Sequence, residues 1–113
     1  MASPRLTAES LQAMKRWPPS LLNMQIKWTK RASKNLEAVT AYIAQDSPIA
    51  AKSFLTELLQ KVDHLRSFPM LGRPGVVPLT RELVVHHNYI AYYRIKQERV
   101  EILRVLHVKR KYP

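Results

Sequence analysis

The chain contains no cysteine. Disulfides and thiolate metal sites are thereby excluded. The composition suits a reducing compartment, and a cytoplasmic location is expected. Acidic residues are scarce: 8 Asp and Glu stand against 19 Lys and Arg, a formal net charge of +11. That excess favours an acidic partner, whether nucleic acid, an acidic protein segment or an anionic surface. No apolar run approaches the ~20 residues needed to span a bilayer, so no membrane association through a spanning helix is expected. The first 23 residues also lack the apolar block of a secretory signal, and Pro18-Pro19 interrupts them. Glycine is nearly missing. Both glycines of the chain, Gly72 and Gly75, lie between two prolines' reach in the stretch 70–79. Gly72-Arg73-Pro74-Gly75 is too short and too proline-bound to cradle a phosphate, and no Gly-x-Ser-x-Gly run exists.

What is present reads as one domain with a leading extension. A chain of 113 residues supports one core. Residues 1–23 carry Pro4, Pro18 and Pro19 and little periodicity. A short helix over 7–17 is the most they suggest, with Thr7 as its cap. Met24 precedes the first convincing strand and is read as the natural start, which makes 1–23 an over-long start or a flexible tail. A targeting or interaction arm is the sharper alternative.

From residue 25 the alternation Gln-Ile-Lys-Trp-Thr predicts a short strand. Thr29 can cap a helix whose apolar face is Ala32, Leu36, Val39 and Ile43. Lys30, Lys34 and Glu37 occupy its other side. Asp46-Ser47-Pro48 punctuates the chain, with Ser47 as N-cap and Pro48 in the first helical position. A second helix follows, striped by Ala51, Phe54, Leu55, Leu58, Val62 and Leu65. Pro69 is expected to end it after about five turns. The short link makes the pair a helical hairpin. Residues 70–79 read as a loop, in which the glycines permit positive φ. Three β-rich runs then lie at hairpin spacing: 82–85, 89–95 and 100–106. Residues 87–88 and 96–99 are the turns. The predicted class is α+β in the order β-α-α-β-β-β, a helical hairpin on a small, mostly antiparallel sheet whose far face is at least partly open.

Chemistry is harder to read. His64, His86, His87 and His107 have no metal-ligand spacing, so no metal site is expected and surface histidines are the simpler reading. No cofactor motif is present. RNA cleavage asks for less, since His, Tyr, Arg and Lys suffice as acid, base and phosphate ligands. Arg81, Arg94, Arg104, His107, Arg110 and Tyr112 are the candidates, and several of them could converge near one end of the sheet. From spacing alone, a solvated basic face that attracts an acidic partner is the simpler reading. Tyr89, Tyr92 and Tyr93 share one strand, and Tyr92 should face away from the other two.

Residues 24–113 resemble the RelE/ParE superfamily of bacterial type II toxins. The resemblance rests on Trp28-Thr29-Lys30-Arg31-Ala32, Tyr42-Ile43, Ser47-Pro48-Ile49-Ala50-Ala51, Phe68-Pro69-Met70-Leu71-Gly72-Arg73-Pro74-Gly75, Thr80-Arg81-Glu82-Leu83, Tyr89-Ile90-Ala91-Tyr92-Tyr93-Arg94 and the run VEILRVLH at 100–107. It implies the same strand-first fold and a toxin neutralised by an antitoxin that wraps it. Leu36, Val39, Leu55 and Leu58 are the contacts expected for that antitoxin, against a reading of each as core. The superfamily divides between ribosome-dependent mRNA endonucleases, the RelE-like branch, and inhibitors of DNA gyrase, the ParE-like branch. RelE-like nucleases carry an arginine where this chain has Tyr89, and basic residues where it has Val84 and Val85. The resemblance therefore points to gyrase, with Arg73, Arg81, Arg94, His107, Lys109 and Arg110 as target contacts. The alternative is the ribosome and its mRNA, with Arg81, His107, Arg110 and Tyr112 as the catalytic set.

Overall fold

Local capping chemistry sets the first half of the chain. A computed structural model describes residues 24–86 and 88–110, with the side chain of Arg110 left aside. The expectations for 1–23, His87, Lys111 and Tyr112 fall outside that range. Strand β1 is Gln25–Trp28. Thr29 then caps helix α1, Lys30–Asp46, its side chain accepting from the Ala32 amide at 3.1 Å. The same hydroxyl donates to the Ile102 carbonyl at 2.8 Å, so one residue starts the helix and ties it to the sheet. Ser47 accepts from the Ala50 amide at 3.1 Å and opens α2, Pro48–Asp63, with Pro48 where its missing N–H costs nothing. The helix stops short of the predicted Pro69. It tightens into a 3-10 turn, His64–Arg66, which keeps Leu65 in the core.

The sheet has five strands, one more than the sequence suggests. Beyond β1 these are β2, Arg73–Pro74; β3, Arg81–His86; β4, Tyr89–Lys96; and β5, Arg99–His107. Their spatial order is β1-β5-β4-β3-β2. All pairs are antiparallel except β1 with β5, whose parallel pairing the helical crossover allows. The added strand β2 sits inside the expected loop and pairs only Arg73 with Glu82 and Pro74 with Arg81. A 3-10 turn, Val108–Arg110, follows β5.

The helical hairpin covers one sheet face. Phe54, Leu58, Val62 and Leu65 meet Leu83, Val85, Ala91, Tyr93, Val100, Ile102 and Val105 there. Leu36, Val39, Ile43 and Tyr89 pack around this core half-buried. Each fully buried large apolar side chain contributes about 1.5–3 kcal/mol over its exposed state. Tyr89 and Tyr93 belong to this side, and Tyr92 faces the other way, as strand alternation predicts. Two bulges break that alternation elsewhere. Leu103 is left unpaired between Ile102 and Arg104, and Val85 between Val84 and His86. The second bulge turns His86 toward α2, where it meets Phe54 edge-on and lies 2.8 Å from Glu57.

Neither glycine adopts positive φ; Leu79, Gln97 and Glu98 do. The glycines serve close approach instead. A Cβ on Gly72 would lie 2.7 Å from the Tyr93 ring and 2.8 Å from the Glu82 carbonyl. Gln97 and Glu98 are the two central residues of the β4–β5 turn, and positive φ at both is the mark of a type I′ hairpin. Asn-Gly satisfies that geometry at least cost. The double change Gln97→Asn, Glu98→Gly is therefore expected to stabilise the fold by about 1 kcal/mol. A higher urea midpoint with an unchanged slope checks this, and an unaltered midpoint counts against the turn assignment.

Candidate functional site

The sheet face away from the helices carries an arginine-rich cluster. Cross-strand pairing aligns Arg73, Glu82, Tyr92 and Arg104 across four strands. Arg94 and Glu101 form the next row, with Lys27 beside Glu101. Four guanidiniums, Arg73, Arg94, Arg99 and Arg104, thus stand against two carboxylates. Both carboxylates are buried: Glu82 is 4% exposed and Glu101 is 5% exposed. Burial of a charge requires partners. Glu82 has Arg73, with Nη2 at 3.0 Å and Nε at 3.1 Å. Glu101 has Arg94 Nε at 2.7 Å and Arg99 Nη2 at 3.0 Å. The hydrogen bond from Arg94 outweighs desolvation and, with Arg99, holds the Glu101 carboxyl below its usual range. The outer sides of these arginines remain open to solvent, so the glutamates aim them rather than bury them. The Nε of Arg104 is buried and makes no hydrogen bond.

Beside this face the 69–75 segment is anchored from below. The buried Tyr93 hydroxyl accepts from the Gly72 amide and donates to the Pro69 carbonyl, both at 2.8 Å. Burial raises its pKa, so it stays a neutral donor. Arg81 donates to the Gly72 carbonyl at 2.6 Å. The segment so fixed holds out Phe68, Met70, Leu71, Val76, Val77 and Leu79, all exposed. Leu79 is 92% exposed and holds φ 66° with no packing in return.

The other end of the sheet is different. His107 lies edge-on to Tyr89 at 5.1 Å, and its Nδ1 accepts from the Lys109 amide at 3.1 Å. With Val39, Tyr42 and Asn35 it lines a cleft of about 370 Å³ between α1 and the sheet.

These positions sort the residues nominated from sequence. Arg73 and Arg94 share the open face. Arg81 does not join them, because it points to the helix side and supports the 69–75 segment. Its strand partner is Tyr93 and that of His107 is Tyr89. Four residues along β4 separate them by about 13 Å at ~3.3 Å per residue. Arg81 and His107 therefore do not meet at one end of the sheet. Lys109 is exposed beyond His107, in the 3-10 turn that also contains Arg110. Of the four apolar residues assigned to a partner, Leu58 is fully buried in the core and offers no surface. Leu36, Val39 and Leu55 are half-buried. Among the described residues no group of three His, Asp or Glu is placed to hold a metal ion. No helix there is long and apolar enough to cross a membrane. Sequence reasoning missed Glu82 and Glu101, whose partners depend on register, and the Tyr93–Gly72 anchor, which joins residues 21 apart.

Comparison with known proteins follows the same lines. Residues 26–112 match the family described as the ParE toxin of the type II toxin-antitoxin system parDE. The proposed toxin Y4kP of Sinorhizobium fredii is 42% identical over 90 residues, covering 79% of this chain and 93% of that one. Toxin RelE2 of Caulobacter vibrioides is 38% identical over 86 residues, covering 76% and 97%. Among solved structures, a chain of the chromosomal ParDE system from P. aeruginosa superposes with a TM-score of 0.68 at 29% identity, over 75% of this chain and 96% of that one. A chain of the RelBE2 toxin-antitoxin complex from Mycobacterium tuberculosis shares the fold, with a TM-score of 0.54 at 21% identity, over 76% and 99%. The chain belongs to the ParE toxin family, within the RelE/ParE superfamily of type II toxin-antitoxin toxins.

Proposed function

We propose that this toxin acts on DNA gyrase and is held inactive by a cognate antitoxin. The observation that carries the reading is where the candidate cations go. A metal-free nuclease needs a base, an acid and free cations around one phosphate. Here Arg73 and Arg94 are paired with buried glutamates, Arg81 is spent on the Gly72 carbonyl, and His107 Nδ1 accepts a backbone amide. What they leave is a rigid, cation-studded face beside exposed apolar residues of the 68–79 segment. Such a mixture suits a protein surface better than a phosphodiester, since protein interfaces combine apolar anchors with arginine. Arg73 and Arg94 are the target contacts on this face, and Lys109 and Arg110 add basic residues beyond the other end of the sheet.

One observation favours a second reading, an mRNA endonuclease working on the ribosome. Arg104 stands in the row of the open face, its buried Nε makes no hydrogen bond, and it forms no ion pair among the described residues, so it is a cation no carboxylate has claimed. Induction of the chain in bacteria separates the two. Gyrase poisoning gives DNA breakage and an SOS response with intact mRNA. Rapid cuts in mRNA without DNA damage reject it.

A further inference from the structure

The β2–β3 hairpin ends in a turn built against the preference of one of its own residues. Its arms pair Arg73 with Glu82 and Pro74 with Arg81, and the Gly75 amide closes the loop on the Thr80 carbonyl at 2.8 Å. Inside that loop the Thr80 amide donates to the Val77 carbonyl at 3.2 Å, and the Thr80 hydroxyl to the same carbonyl at 2.6 Å. Pro78 and Leu79 are therefore the two central residues of a β-turn. Proline first and positive φ second is the type II pattern, whose second position calls for glycine or asparagine. Here it holds Leu79 at φ 66°.

A bulky side chain in that region costs the fold free energy. Leu79 recovers none by packing, being the most exposed large apolar residue among those described. Stability alone would select glycine or asparagine. A leucine held out in water on a strained backbone points to a contact made outside the fold. Val76 and Val77 are exposed on the same tip.

The surroundings narrow the occupant. Between Arg73 and Arg81 the chain carries no charge, so the tip offers a phosphate backbone nothing to bind. Three hydrogen bonds fix its shape, which is useful against a shaped cleft and not against a fluid bilayer. A second copy would bring its own +11 charge, which disfavours self-association. The tip is continuous with the face assigned to the target, because Arg73 at the base of the hairpin belongs to that face.

We propose that Leu79 is an anchor of the toxin for its target protein, entering an apolar cleft there together with Val76, and that the 77–80 turn holds it ready to enter. The inference rests on the gyrase reading above and locates a contact for it.

The test compares the full chain with Leu79→Asn and Leu79→Gly in gyrase supercoiling, antitoxin binding and urea unfolding. Both replacements accept the left-handed region, so their urea midpoints are expected at or above that of the parent. The toxin concentration that halves supercoiling is expected to rise about tenfold or more for each, with affinity for the antitoxin encoded beside it within about twofold of the parent. Val76→Asp, which leaves the turn intact, is expected to lose potency in the same way. Parental potency in Leu79→Asn overturns the proposal. So do urea midpoints that fall together with potency, because the leucine is then structural. Antitoxin affinity that falls alone, or as far as potency, overturns it in favour of the antitoxin as occupant. Binding of the parent to phosphatidylglycerol vesicles that Leu79→Asn abolishes, at unchanged potency on gyrase, overturns it in favour of a membrane. A parent chain that leaves supercoiling untouched is a separate result, which removes the gyrase reading and the anchor with it.

Discussion

Replacing Tyr93 with alanine is expected to remove about 3–5 kcal/mol of stability, the range for deleting a buried aromatic side chain. Folded domains of this size hold about 5–15 kcal/mol in total, so the variant should lose a large share of its stability and unfold at a clearly lower temperature. Tyr93→Phe separates two contributions. It keeps the ring and loses the hydroxyl, leaving the Gly72 amide and Pro69 carbonyl unpaired. Such orphaned groups cost about 1–3 kcal/mol, and here the cost should be local. The 69–75 segment should loosen first, because Tyr93 and Arg81 anchor it from beneath. Urea midpoints give the total for each variant, and exchange at the Gly72 amide reports the local loss. A Tyr93→Phe chain with parental stability and a protected Gly72 amide would show that this anchor contributes little.

The second large effect concerns Glu101. Its carboxyl is held below the usual range, chiefly by the Arg94 hydrogen bond. A depressed value in the folded state means stability that is fully present above the unfolded value of about 4.3. That stability fades as pH falls through the folded value. Glu101→Gln removes the charge and should cost about 1.5–3 kcal/mol at pH 7, the range for hydrogen bonds to a charged group. Arg94 and Arg99 limit the loss because both are partly exposed and can return to water. Below the folded value of Glu101 the parent carboxyl is itself neutral, so the two chains should converge. Unfolding free energies measured from pH 7 down to pH 2 test the sign. A difference that is constant across that range would mean the effect is steric and not ionic.

Legibility differed sharply between the two halves of the chain. Thr29 and Ser47-Pro48 are local signals, and each starts its helix at the position the sequence indicates. The stripe from Ala51 to Leu65 is likewise local, because a helix repeats every few residues. The sheet is not local. β2 is two residues long within a stretch of prolines and glycines, and its pairing depends on contacts with residues 81–82. The bulges at Val85 and Leu103 shift faces that simple alternation would keep, and His86 reaches α2 only for that reason. The glycines invited a reading in terms of positive φ, and their role is to clear space for Tyr93 and Thr80. For the site, the basic character was visible and the pairing was not. Arg73, Arg81 and Arg94 look alike in sequence, yet Arg81 ends on the helix side. Leu58 shows the same difficulty among apolar residues, since core and docking surfaces share one helical stripe until the packing is known.

Action on gyrase is decided by adding the purified toxin to purified DNA gyrase and relaxed plasmid with ATP, and in parallel to translating ribosomes with a defined mRNA. Supercoiling is expected to be lost, or cleaved DNA to accumulate, reversed by the antitoxin, with the mRNA intact. Unimpaired supercoiling together with mRNA cut at the ribosome would overturn the assignment to gyrase.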